Sequence, residues 1–362
     1  MVNPQTIEQW RKAPRLNAFA SFFNNTASGI TGAPDLMEPA PDKSLLQHDI
    51  ESLVFWDSHR KLWGHFDSHY FASIPFRLEE ECRLGSAILA YGLAVWARKG
   101  RAATVYTLGA GEGTFVRTLG KLGDGRLKTL CCSPTAGNRE RFYAKRGSNN
   151  AHFYYGPFFE LTKECYRRNA DLQAFREGFD VLLEDTTFQM YGPDRDNQLA
   201  FVVPRIRQDG VFIQIQKLSH ADREQYDRRE RQKDEGFKAR FFTKALIASK
   251  KSEILKTMAN CEVGLEETIA ALRQRFRYAV ITWNSGNFYT IVSSNSERSL
   301  KDLVIAMIKP AIPAEFCYEK LPVTLLNDGV AVPDRDWSWR CAKSIAEEIP
   351  KRPLFSPRYS SR

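Results

Sequence analysis

The sequence predicts an α/β protein built on a seven-stranded, mostly parallel, doubly wound sheet. Three observations carry this. From residue 104 to 217, short apolar β-branched runs alternate with amphipathic segments of helical length. The first run leads into a glycine-rich turn, "TVYTLGAGEGTFVRTL", residues 104–119. Near residue 280 two further apolar runs, "YAVITWNSG" and "NFYTIVSSNS", are separated only by a short Asn/Ser/Gly turn and read as a hairpin.

Residues 1–45 are rich in Asn, Ala, Pro, Ser and Gly and read as a loop-like wrapping arm. Residues 46–76 are dense in aromatics and histidines. Residues 77–100 read as one long helix, acidic at its start, basic at its end and stopped by Gly100. Then strands and helices alternate: "TVYTL", "TFVRTLGKL", "RLKTLCC", "TAGNRERFYAKRG", "AHFYYG", a helix over 158–177, "FDVLLED", a helix over 194–206, and "GVFIQIQKL". Right-handed crossovers put the helices on both faces of the sheet. Residues 220–260 break the rhythm with a charged, helix-prone insertion. "GLEETIAALRQRF" is a helix before the hairpin. Residues 311–362 read as a wrapping tail. The expected organisation is an N-terminal arm and lid (1–76), a sheet domain (77–310) and the tail.

With 43% hydrophobic and 26% charged residues, the composition suits a globular protein. The longest apolar run, residues 84–97, is too short for a bilayer. The N-terminus lacks a signal-peptide core, so a cytoplasmic location is expected. Seven scattered cysteines suggest reduced thiols, with Cys131 and Cys132 as small apolar residues ending a buried strand. The net charge of +9 fits a nucleic-acid partner or a generally basic surface.

In an open parallel sheet, ligands sit at the carboxyl ends of the strands, so the first turn is the place to look. Gly109, Gly111 and Gly113 permit a tight turn and close backbone approach. Their spacing is G-x-G-x-G, with Thr114 where a dinucleotide site has its third glycine. Glu112 adds a negative charge that a pyrophosphate disfavours. These features point away from a nicotinamide oxidoreductase and toward a nucleoside ligand.

Here the chain resembles the class I S-adenosylmethionine-dependent methyltransferases. "VYTLGAGEGTF", "FDVLLEDTTFQMY" and "RQDGVFIQIQKL" are similar to three of that family's motifs, and the closing hairpin to its last two strands. The resemblance covers about residues 80–310. It implies the strand order 3-2-1-4-5-7-6 and S-adenosylmethionine as cofactor. By position, Thr107, Gly109, Gly111, Glu112, Gly113, Thr114, Ser133, Gly156, Glu184, Asp185 and Thr186 would form the cofactor site. Three positions that carry acids in many members differ: Thr107 before the first glycine, Ser133 after the second strand, and Gly156-Pro157 after the third. A carboxylate accepts from both ribose hydroxyls, whereas Ser133 can make one such bond. A methyltransferase-like scaffold without turnover is therefore the alternative to an enzyme.

The implied chemistry is direct displacement, in which the protein positions two groups and excludes water. Asp185, Lys217 and Tyr191 are the candidate catalytic residues. Asp185 and Lys217 match the acid and lysine of ribose 2′-O-methyltransferases, where a lowered lysine pKa would deprotonate a hydroxyl. The segment lacks the motifs of amino- and cytosine-C5-DNA methyltransferases. A nucleic acid or a protein is the expected acceptor. His59, His65 and His69 lack a completing ligand set, so no metal is expected; a lid or a structural aromatic cluster fits them better. The basic and aromatic residues of 223–251 could contact nucleic acid, form a homo-oligomer interface or cap the acceptor cleft.

Overall fold

A computed structural model of the chain describes residues 2–330 and 337–343. The N-terminal region holds α1 (Pro4–Arg11), α2 (Ala20–Ala27), α3 (Ile50–Leu62) and α4 (His65–Phe71), followed by the long α5 (Arg77–Lys99). The alternating core is β1 (Ala103–Leu108), α6 (Thr114–Leu122), β2 (Leu127–Ser133), α7 (Ala136–Ala144), β3 (Ala151–Tyr155), α8 (Lys163–Arg168), β4 (Phe179–Asp185), α9 (Arg195–Val202) and β5 (Ile206–Lys217). The insertion contributes α10 (Arg223–Arg231), α11 (Lys244–Lys250) and α12 (Lys256–Ala259). Then come α13 (Leu265–Arg273), β6 (Tyr278–Ser285), β7 (Phe288–Ser294), α14 (Glu297–Val304) and β8 (Val323–Leu326).

The strands form one sheet in the order β3-β2-β1-β4-β5-β7-β6-β8. The first five are parallel, while β7 runs antiparallel to both β5 and β6. This is the strand order that the resemblance implied, with one strand more. The eighth comes from the region expected to be only a wrapping tail: β8 pairs antiparallel with β6. It covers an edge that would otherwise expose unpaired backbone groups. The rest of the expected tail, residues 331–336 and 344–362, lies outside the described residues.

Alternate side chains of each strand feed two cores, as a period of two requires. Val105, Val181, Leu183, Ile213 and Ile215 pack toward α3, α5 and α14. Tyr106, Leu182 and Phe212 pack toward α9, α13 and the aromatic segment after β3. Cys131 and Cys132 are buried in β2, as their place in an apolar run predicts.

Two local expectations need correction. The N-terminal 45 residues are not merely loop: α1 and α2 fold, and Trp10 is buried against Phe158 and Phe159 at ring distances of 5.3 and 5.7 Å. The helix expected over 158–177 is broken, because Thr162 and Asn169 side chains accept from Cys165 N and Asp171 N and restart the chain twice. The insertion is helical, as its composition predicts, with wide turns at Gln232–Phe237 and Lys251–Leu255.

Candidate functional site

The turn after β1 has the geometry its glycines predict. Gly109 and Gly111 have φ of +58° and +53°, a region that side chains with a Cβ rarely adopt. A Cβ on Gly109 would sit 2.2 Å from Thr187 Oγ1, so packing as well as conformation demands glycine. Glu112 points inward. Its Oε1 accepts from His65 N at 3.0 Å, while Oε2 has no partner. A Cβ on Gly64 would fall 1.1 Å from Oε2, so α4 approaches the turn only because residue 64 is glycine. Burial, and then the neighbouring Asp67, push the Glu112 carboxyl up to about 7. Asp67 accepts from Gly64 N and Thr114 Oγ1 at 2.7 and 2.8 Å.

The carboxyl end of β4 is built around Arg77, which opens α5 and is fully buried. Its Nη2 lies 2.7 Å from both Asp185 Oδ2 and Glu81 Oε2. The Tyr70 hydroxyl donates to Asp185 Oδ1. Burial pushes the Asp185 carboxyl up and Arg77 opposes this. Burial and then Asp185 raise Tyr70 well above a free phenol. Thr186 follows with φ of +51°, a strained conformation for a β-branched residue and of a kind that clusters at ligand sites.

Both ends face one cavity of about 160 Å³. Thr107, Gly109, Gly111, Glu112, Thr114, Asp185, Thr186 and Lys217 line it, so these predicted residues are brought together. Thr107 Oγ1, Glu112 Oε2 and Gln189 Oε1 are buried on its wall without hydrogen-bond partners. Such atoms are costly unless a polar ligand or water meets them. Phe22, Phe23 and Phe66 form a roof from α2 and α4.

The insertion closes the far end with lysines. Lys217 at the end of β5 lies 2.9 Å from both Glu230 and Glu262, and its Nζ donates to Tyr226 Oη at 2.6 Å. Burial disfavours the charged lysine, but Glu230 and Glu262 outweigh it and hold its pKa far above the ordinary value. The expected lowered-pKa base at Lys217 is thus corrected: this residue stays a cation. Lys233 and Lys238 also turn inward, and Lys238 reaches Asp234 at 3.1 Å. Phe237, Phe241 and Phe242 are buried together with Phe76 and Phe316, so they are not exposed platforms for bases.

The remaining predicted residues stand elsewhere. Tyr191 is buried among Phe158 and Phe159, at 5.3 and 5.7 Å, in the aromatic core rather than on the cavity. Glu184 accepts from Thr187 N and Phe188 N at 2.6 and 2.9 Å and shapes the turn after β4. Ser133 Oγ accepts from Asn138 Nδ2 at 2.9 Å and Thr135 N at 3.3 Å. Gly113 packs on Cys131 and Phe142, and Gly156 on Tyr154 and Glu160. The three histidines diverge. His59 accepts from Trp63 Nε1, His65 meets Arg141, and His69 contacts Gly32 O. Of the three, His69 lines the cavity, together with Phe66 and Tyr70 of the same helix, in keeping with a lid. Sequence reasoning missed Arg77 and Glu81, and offered Tyr70 and Lys250 only as parts of a candidate lid and a candidate cap. The signal was the density of charge in "RLEEECR" at the head of a helix whose later turns are apolar.

No family model and no curated protein matches the chain. Among solved structures it is similar to an O-methyltransferase family protein from Burkholderia thailandensis, at 14% identity and a TM-score of 0.38. That match covers 61% of this chain and 59% of the other, so the chain spans less than two thirds of that protein. It is similar also to CalO1, a methyltransferase of calicheamicin biosynthesis in its SAH-bound form. There the identity is 13% and the TM-score 0.36, over 78% of this chain and 71% of that one. The plantazolicin methyltransferase BpumL, in complex with SAH, matches at 8% identity and a TM-score of 0.40, over 70% and 98%. Likeness at this level says nothing of ligand or reaction.

Proposed function

We propose that the chain is an S-adenosylmethionine-dependent methyltransferase and that its acceptor is a small molecule. The observation that carries this is the single cavity joining the glycine turn and the strained end of β4 to the lysine-lined insertion. Its wall carries unpaired buried oxygens at Thr107, Glu112 and Gln189, which suit a polar ligand. The methionine part of the donor would lie along Gly109 and Gly111, with Thr107, Glu112, Asp185 and Thr186 in reach. When bound, the donor supplies an activated methyl group on a positive sulfur. Glu112, Asp67, Asp185 and Glu81 put carboxyl groups around that charge. Arg77 and Tyr70 hold Asp185 in place, and the aromatic roof excludes water. The cavity is below the roughly 300–1,000 Å³ of small-molecule sites, so seating a donor requires the roof of Phe22, Phe23 and Phe66 to shift. A pocket of this size beneath an aromatic roof favours a small acceptor over the nucleic acid or protein expected from the charge.

A specific observation favours the second reading, a methyltransferase-like binding module. The ends of β2 and β3, where the nucleoside would lie, are covered by the N-terminal segment. Arg15 Nη2 donates to Thr135 Oγ1 at 2.9 Å, and Trp10 sits on Phe158 and Phe159. Calorimetric titration with S-adenosylmethionine and S-adenosylhomocysteine separates the two. Binding of both, with transfer of labelled methyl to small molecules of a lysate extract, is the expected result. No heat from either ligand up to high micromolar concentration sinks the enzyme reading.

A further inference from the structure

Lys250 differs from the other lysines at the cavity. Its stem is partly exposed, but its Nζ turns inward, 2.5 Å from His69 Nε2 and 2.8 Å from Ser73 Oγ. Among the described residues no carboxylate lies within ion-pair distance of it, whereas Lys217 and Lys233 each have two and Lys238 has one. The hydrogens can be assigned from their partners. Gly32 O can only accept, so the proton of neutral His69 sits on Nδ1, 2.6 Å away, and Nε2 is an acceptor. His69 O can only accept, so the Ser73 hydroxyl donates there, at 2.5 Å, and its oxygen accepts from Lys250. An uncharged Lys250 amine would spend both hydrogens on these two acceptors. Its lone pair is then left for the cavity.

We infer that Lys250 is the proton acceptor for a weakly acidic hydroxyl, of the phenol or enol class, on a small planar ligand bound at the insertion end of the cavity. The ligand O–H bond breaks and a Lys250 N–H bond forms. The electron pair stays on the ligand oxygen, which then faces the new ammonium. Phe66, Phe288, Ile254 and Met258 supply the apolar walls that a planar ring needs. The electrostatics agree. His69 faces Lys250 from α4, and Lys233, Asp234 and Lys238 face it from the insertion. Burial of the nitrogen, then Lys238 and Lys233, hold the Lys250 pKa well below an ordinary lysine, and Asp234 only partly offsets them. Burial likewise holds the His69 pKa well below an ordinary imidazole.

This deepens the methyl-transfer reading and rests on it for the fate of the oxygen. Its test needs no donor. The full chain is titrated with 4-nitrophenol, whose absorbance distinguishes phenol from phenolate, below the pH at which the free probe ionises. The bound probe is expected to show the phenolate band. K250M should weaken binding tenfold or more and abolish the band while leaving the circular dichroism unchanged. In lysine-labelled wild-type protein at that same pH, the Lys250 Cε resonance is expected to be that of a neutral amine without the probe, and of an ammonium once the probe binds. Absence of binding, binding as the phenol, or a Lys250 already charged without ligand overturns the inference. Failure of donor calorimetry with this result intact would overturn the methyl-transfer reading instead.

Discussion

The carboxyl edge of the sheet has two unlike halves. At β1, β4 and β5 it is charged and hollow: Glu112, Asp185 with Arg77, and the lysines of the insertion surround a cavity. At β2 and β3 it is filled: Ser133 accepts from Asn138, Arg15 donates to Thr135, and Trp10 packs on Phe158 and Phe159. Of the three positions at which acids are missing, Ser133 and Pro157 fall in the filled half, while Thr107 lines the cavity beside Glu112 and Asp185. The difference teaches that charge has not been lost from this edge but concentrated where the cavity is. A carboxylate buried in the filled half is costly unless a cation pairs with it.

The largest test of the hollow half is Arg77→Met. It leaves Asp185 and Glu81 buried without their cation, a loss expected to cost about 3–5 kcal/mol. Chemical denaturation reads this directly, and a cost below about 1 kcal/mol would mean that the cluster is solvated. Glu112 comes next. Its folded carboxyl is raised from 4.5 to about 7, so its favourable contribution is full at low pH and is lost as pH rises through 7. Glu112→Gln should therefore be more stable than wild type at pH 8, by on the order of 3 kcal/mol, and the gain should vanish near pH 4. A pH-independent difference would refute the buried position of Glu112. The smallest effect tests the filled half. Ser133→Ala removes an acceptor from Asn138 and Thr135 and should cost about 1–2 kcal/mol of stability. Donor binding should be unchanged, and a large loss of binding would put Ser133 in the site after all.

Some of the candidate site was legible in the sequence for physical reasons. Gly109 and Gly111 announce a turn because few other residues hold positive φ, and Asp185 follows from the end of an apolar strand. Lys217 was found by position but its state was not. Whether a lysine is a base or a fixed cation depends on carboxylates 13 and 45 residues away in sequence, Glu230 and Glu262. Tyr191 misled because an aromatic after β4 serves the core and the cavity equally well until packing chooses. Lys250 was hidden in a run of similar charges; only the approach of α4 singles it out.

By itself the sequence determined the period-two strands, their alternation with helices, the turn after β1 and the closing hairpin. These depend on local propensity and burial pattern, which neighbours in the chain carry. The tertiary structure alone decided that a tail segment would add an eighth strand, that the N-terminal helices would fill half of the carboxyl edge, and which lysine would face the cavity without a counter-charge. Those outcomes turn on contacts between residues far apart in sequence. Burial and charge pairing are properties of the assembled surroundings, not of any one segment.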